Sequence, residues 1–193
     1  AGIYVTEYSK NFFANVVKFV TDVLSGIPSI IIGIFAYGLI VIPMQRFSAY
    51  AGGFALGLLM IPTVTRISEE MLKLVPHTIR EAALALGIPR WKTTLRIVLR
   101  TASGGIVTGI LLAVARAAGE TAPLLFTSFG NSFWSSTLDS PMASIPVQIF
   151  NYAISPYDEW HGKAWAGAFV LISLVFIVSL LVRIATRNKY SQN

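Results

Sequence analysis

The sequence predicts an all-α integral membrane protein with four transmembrane helices, an N-terminal amphipathic helix and a charged coupling-helix loop on the cytoplasmic side. Three observations carry this. Of 193 residues, 54% are hydrophobic and only 12% charged, with mean hydropathy +0.67, whereas a soluble domain carries about 25% charged residues. No charge falls within 23–45, 47–65, 101–115 or 164–182, and about 20 apolar residues in helix cross a hydrocarbon core of about 30 Å. Three of these runs qualify directly, and the run from 101 reaches spanning length by taking in Arg116 and Glu120. Finally, seven basic residues lie between Arg66 and Arg100, a density that must be held in water.

The chain opens on AGIYVTEY without methionine. This reads as the last turn of a helix whose earlier part lies upstream, with no signal-peptide pattern. Residues 9–25 place Phe12, Val16, Phe19, Val20 and Val23 on one stripe, with Lys10, Lys18 and Asp22 elsewhere. That is a helical period with one apolar face, suited to an interfacial or loosely buried helix. Gly26-Ile27-Pro28 starts the first span, 27–43, with Pro28 near the first turn, where its missing N–H costs nothing. A tight external turn at 43–48 leads to the second span, about 49–65. This span carries Gly53-x-x-x-Gly57, and the third carries Gly105-x-x-x-Gly109; small residues four apart let helix backbones approach closely in lipid. The third helix runs to Pro123, the segment 127–163 is an external loop, and the fourth span covers 164–182. Phe129, Phe133, Trp134, Phe150, Tyr152, Tyr157, Trp160 and Trp165 cluster in and beside that loop. They read as an aromatic belt at headgroup level or as a surface that docks a delivery protein. No repeat or low-complexity segment divides the chain, so 1–193 is one domain.

A net charge of +6 would point to nucleic acid in a soluble protein; here topology explains it, and no nucleic-acid partner is expected. Lysine and arginine accumulate in short cytoplasmic loops. Basic residues cluster at 66–100 and at Arg183, Arg187 and Lys189, while 44–49 and 127–163 hold only Arg46 and Lys163. Four spans put both ends on one side, the side of the 66–100 loop, so both ends are placed in the cytoplasm. Zero cysteines exclude disulfides and thiolate chemistry.

Catalytic signatures are lacking. Gly162-Lys163 has Tyr157 where a phosphate cradle needs its first glycine and Ala164 where it needs a hydroxyl. No His/Cys/Asp/Glu cluster has metal spacing, and His77 and His161 fall on opposite sides of the expected membrane. The chain is therefore read as a non-catalytic subunit without metal or cofactor. Arg116 and Glu120 are the exception to an inert membrane core. Arg116 lies 16 residues beyond Arg100, roughly 24 Å along a helix, and ionisable residues at such depth tend to face a polar path or partner. The bland alternative is an i,i+4 ion pair that neutralises itself, although Arg before Glu is the poorer orientation. Arg66, with Glu69 and Glu70 at helical spacing, is the second candidate. Guanidinium suits oxyanions because its planar fork donates two hydrogen bonds to one group.

The stretch 81–100, EAALALGIPRWKTTLRIVLR, breaks two short helical patterns at Gly87-Ile88-Pro89 and looks built to be gripped by another protein. It resembles the EAA loop of the membrane subunits of ABC importers of type I, the MetI-like permeases. Glu81, Ala82, Ala83 and Gly87 stand at the motif's fixed positions, and Arg100 stands where the family usually ends it with proline. IPSIIIGIF at 27–35, RISEEMLKLVP at 66–76 and ARAAGETAPLLFTSFG at 115–130 resemble the phosphate-importing permeases within that family. The resemblance covers nearly the whole chain and implies that the first two membrane helices are missing.

It further implies a prokaryotic plasma (inner) membrane protein that moves inorganic phosphate inward. Its partners would be a second permease subunit, ATPase subunits docked at Glu81, Ala82, Ala83 and Gly87, an external phosphate-binding protein and the lipid bilayer. On this reading Arg66 and Arg116 offset the anion's desolvation, while Glu69 and Glu120 keep them from holding it too tightly. Three alternatives stay open: a permease for sulfate or molybdate, an ion-coupled secondary carrier with Glu120 as proton site, and a structural subunit with a silent Arg116–Glu120 pair.

Overall fold

The computed structural model describes residues 1–187 apart from Lys10, Ser132, Trp134 and Ser136, with side chains as far as Ile184. Trp134 of the aromatic set, Lys10 and Lys189 lie outside the described residues, as does the Arg187 side chain. Every regular element among the described residues is helical. In chain order they are α1 (Gly2–Glu7), α2 (Phe12–Gly26), α3 (Ser29–Met44), α4 (Ala49–Lys73), α5 (His77–Ala85), α6 (Arg90–Ala117), α7 (Ala122–Thr127), α8 (Ile145–Ala153) and α9 (Asp158–Arg187). Among them α4, α6 and α9 are long and apolar enough to cross a membrane. A fourth span exists only if α2 and α3 count as one broken crossing. The expected first span, 27–43, is found as α3, which starts at Ser29, ends at Met44 and reaches roughly 24 Å. Pro28 explains the break. It caps α3 in an extended conformation, and proline disfavours helix in the residue before it.

The charged segment is also more helical than expected. Instead of leaving helix near residue 65, α4 continues through Pro62 to Lys73, because RISEEMLK is rich in good helix formers and offers i,i+4 ion pairs. Past the α5 helix, α6 is continuous from Arg90, so the loop 66–100 is two helix ends around one short helix. A π-helical turn occupies Thr93–Val98, where the Thr94 hydroxyl also donates to the Arg90 carbonyl at 3.0 Å. The far end of α6 comes early. It stops at Ala117, and α7 is a separate turn and a half that carries Pro123.

Two compact units divide the chain: 1–25 and 61–113 with the stretch from 181, and 26–60 with 114–180. In the first unit Leu72, Val75, Val98 and Ala102 form the core, with Ile79 and Ile106 packed on it. Gly105 and Gly109 of α6 lie directly under Met71 and Ile67 of α4; both pairs are four residues apart, so the two helices mesh. In α2 the apolar stripe is turned outward, Phe12 and Phe19 being exposed, while Ala14 and Thr21 are buried.

In the second unit α3 packs on α7. A Cβ on Gly33 would lie 2.6 Å from the Pro123 Cα, so only glycine permits this approach. Ser48 caps α4, its hydroxyl accepting the Ala51 N–H at 3.2 Å. The Ser48, Ala49 and Tyr50 N–H groups, which a helix start leaves unpaired, donate to the carbonyls of Thr127, Ser140 and Leu138. Phe47 stacks on Phe129 at 4.9 Å and Arg46 pairs with Asp139. The segment 127–163 is therefore tied to the start of α4 and includes the unforeseen α8. Along α9, Trp165, Phe169, Ile172 and Phe176 make an exposed stripe.

The Gly53 and Gly57 positions differ from Gly105 and Gly109: among the described residues nothing lies within 4 Å of a Cβ placed on either. Gly33→Ala is therefore expected to lower stability by about 1–3 kcal/mol through overpacking, whereas Gly53→Ala stays within about 0.5 kcal/mol of wild type. Thermal unfolding midpoints in detergent check both.

Candidate functional site

The α5 helix is built for display. Pro76 caps its start in an extended conformation, and its end closes with two backbone bonds, Gly87 N–H to the Leu84 carbonyl at 2.9 Å and Ile88 N–H to the Ala83 carbonyl at 3.1 Å. This is a Schellman cap, which requires a left-handed residue at its corner. Gly87 supplies it at φ +76, with open space around its Cα, so its need is conformational rather than steric. Pro89 then caps α6. The α5 helix packs on the π-helical turn of α6, which leaves Glu81 and Ala82 exposed. Ala83 differs: it is 4% exposed and turned into its own unit. Of the two small residues expected at a docking surface, only Ala82 is presented. Glu81, with Tyr8, His77 and Trp91, rims a cavity of about 440 Å³.

The second feature is an array of charges between α2 and α4. Arg66 pairs with Glu70 at 3.6 Å and with Asp22 at 3.5 Å. Glu69, almost fully buried, pairs with Lys73 one turn on and with Lys18 at 3.6 Å. Three cations thus meet three carboxylates. Sequence spacing allowed Arg66 either neighbouring carboxylate; it takes Glu70, and Glu69 is held by lysines. The carboxylates paired with Arg66 are therefore Asp22 and Glu70, and Glu69 is paired with Lys18 and Lys73. The physical reason is the extension of α4: Arg66 and Glu70 stack at i,i+4, while Glu69 points toward α2.

Arg116 occupies the last turn of α6, where a cation meets the negative end of the helix dipole. The Gly119 N–H bonds the Arg116 carbonyl and the Glu120 N–H bonds the Ala117 carbonyl, a tight turn that takes Glu120 off the helix. The i,i+4 geometry of the bland reading is therefore absent. Among the described residues neither the Arg116 guanidinium nor the Glu120 carboxylate has a hydrogen-bond or ion-pair partner, and Arg116 is exposed.

Arg66 and Glu69 thus belong to the first unit, with Glu81, Ala82, Ala83 and Gly87, and Arg116 and Glu120 to the second. Lys18 and Asp22 were visible in the sequence only as the polar side of an amphipathic helix, which names a face without its partner. Nothing in the spacing of Arg80 marks it in the sequence. It is mostly buried, pairs with Glu7 at 3.2 Å and donates to the Leu72 carbonyl at 3.1 Å.

Residues 1–189 match the family described as binding-protein-dependent transport system inner membrane component. Among curated relatives, the phosphate transport system permease protein PstA of Yersinia pestis is 50% identical over 190 residues, covering 98% of this chain and 64% of that protein. The protein of the same name from Haemophilus influenzae is 47% identical over 190 residues, covering 98% of this chain and 67% of the relative. PstA 1 of Mycobacterium tuberculosis (strain ATCC 25618 / H37Rv) is 40% identical over 193 residues, covering 97% and 63%. The chain thus spans 63% to 67% of the length of these relatives.

Because a side chain at left-handed φ costs roughly 1–2 kcal/mol, Gly87→Ala is expected to fray the end of α5 without unfolding the protein. Faster amide hydrogen exchange at Leu86–Ile88, with α6 unchanged, is the readout.

Proposed function

This chain belongs to the binding-protein-dependent transport system inner membrane components, and from that membership we propose that it is a membrane permease subunit of an ATP-driven importer of inorganic phosphate. One observation carries the substrate: phosphate permeases are up to 50% identical to it along 98% of its length. In this proposal the chain does no ATP chemistry. A partner ATPase hydrolyses ATP, a second permease subunit completes the path, and an external binding protein delivers phosphate. Both ends of the chain and α5 face the cytoplasm, in keeping with the run of basic residues between Arg66 and Arg100.

The division of labour follows from chemistry. Glu81, Ala82 and the Gly87 corner form the surface that the ATPase grips. Exposure of the first two and the rigid cap at Gly87 support this, because a gripped element must keep its shape under load. Closure of the ATPase pair then moves the membrane helices as rigid bodies between inward-open and outward-open states. Arg116 meets the anion. It is an exposed guanidinium free of ion pairs among the described residues, and its fork can take two phosphate oxygens at once. Glu120, carried off the helix nearby, lowers the local positive charge so that the anion is released. Arg66 is a second guanidinium for the anion, with Asp22 and Glu70 as the carboxylates that limit its hold.

Arg116→Gln is expected to leave the complex assembled and to reduce phosphate uptake by about tenfold or more, the scale of one lost charge-assisted hydrogen bond. Wild-type uptake in that variant would refute the role. Excess sulfate or molybdate is expected to leave wild-type phosphate uptake unchanged; competition by either transfers the assignment to another oxyanion. Glu81→Lys is expected to lose the co-purifying ATPase, and retention at wild-type stoichiometry removes Glu81 from the contact.

A further inference from the structure

We infer that Arg80 is the positioning residue that fastens α5 to the end of α4 and to α1, so that force applied at the Glu81–Gly87 surface moves those helices as one body. The inference rests on the transport role proposed above and adds to it the element that carries the force.

Arg80 immediately precedes Glu81, yet it faces the other way, with a side chain only 16% exposed. One Nη donates to the Leu72 carbonyl at 3.1 Å and lies 3.2 Å from Glu7 Oε1. The Leu72 carbonyl belongs to the last turn of α4, where helix carbonyls run out of partners and the helix dipole attracts a cation. Leu72 itself is wholly buried in the core of its unit, so the anchor does not move independently of α4. On the other side, α1 is held against α4 where Gly2 meets Ser68 and the Thr65 carbonyl. Arg80 therefore sits where three helices converge.

Little else fixes the angle of α5 against α4. The connection at 74–76 is short, its backbone bond from Val75 N–H to the Leu72 carbonyl is long at 3.4 Å, and Pro76 has no N–H to add. Ile79 packs on the core, but apolar packing is not directional and permits sliding. A hydrogen bond to an immobile carbonyl sets a direction. Both contacts run through the same Nη nitrogen, so one charged group joins the α4 terminus to Glu7. Truncation of Arg80 leaves Glu7 without its counter-charge and the Leu72 carbonyl with only the long bond from Val75 N–H, so α5 would swing while still carrying an intact docking surface.

The test uses the assembled transporter with full-length permease in proteoliposomes. Arg80→Ala is expected to retain the bound ATPase and ATP hydrolysis, while phosphate moved per ATP hydrolysed falls about 5-fold or more, the lower range of couplings between distant sites. Attachment is read separately by a spin-label pair at Ile61→Cys on α4 and Leu86→Cys at the end of α5, both exposed in a chain without cysteine. The distance distribution is expected to be narrow with Arg80 and broad in Arg80→Ala. Wild-type transport per ATP in that variant, or an unbroadened distribution, overturns the inference. If Arg80→Ala does not assemble, the label pair is read in Arg80→Met, which keeps an apolar stem and removes the charge and every donor; a broadened distribution supports the inference and a narrow one overturns it. Absence of ATP-driven phosphate uptake by the wild-type complex would sink the substrate assignment instead, and the label pair would still report on Arg80.

Discussion

Helices surrounded by lipid gain nothing by hiding apolar surface from one another, since the acyl chains are as apolar as leucine; they must gain from close contact. In this chain close contact depends on glycine at a few points. Gly33 lets α3 come against the backbone of Pro123, and Gly105 and Gly109 let α6 come under Met71 and Ile67 of α4. The first of these approaches lies in the unit of 26–60 and 114–180, the second in that of 1–25 and 61–113. A Cβ at these positions would push apart the helices that carry the charged and capped features described above.

Around those approaches, polar groups are placed mainly at helix ends. Ser48 and the carbonyls of Thr127, Leu138 and Ser140 satisfy the start of α4, Arg80 satisfies its other end, and Arg116 sits at the end of α6. A helix end carries unpaired backbone groups and a partial charge, so it is where an ionisable side chain is held most readily. This gives the transport proposal a structural economy. The terminus of α4 holds the lever, and the terminus of α6 presents a guanidinium that nothing among the described residues neutralises.

How far the sequence reached can be followed residue by residue. The EAA stretch announced a short helix broken at glycine, and Gly87 indeed sits at φ +76 in a Schellman cap. Length and apolarity marked α4, α6 and α9. Less was visible where two elements had to be brought together. Arg66 had two carboxylates at helical spacing and took one of them together with Asp22, from a different helix. Ala82 and Ala83 looked equivalent, and only the rotation of α5 on α6 separated an exposed alanine from a buried one. Gly53-x-x-x-Gly57 and Gly105-x-x-x-Gly109 carried the same pattern, and only the second pair has a helix against it.

The sequence by itself determined that the chain is helical, membrane-borne and equipped with one dense basic segment, and which family it resembles. Hydrophobic run length, charge asymmetry and motif spacing are properties of the linear chain, and the bilayer reads them locally. The tertiary structure alone decided that α6 stops before Glu120 and that Arg80 points inward to Glu7 and Leu72. Those outcomes depend on which backbone carbonyls and carboxylates arrive within about 3 Å of a given side chain, the reach of a hydrogen bond. Distances on that scale are set by helix packing between residues far apart in the chain, and no one-dimensional pattern contains them.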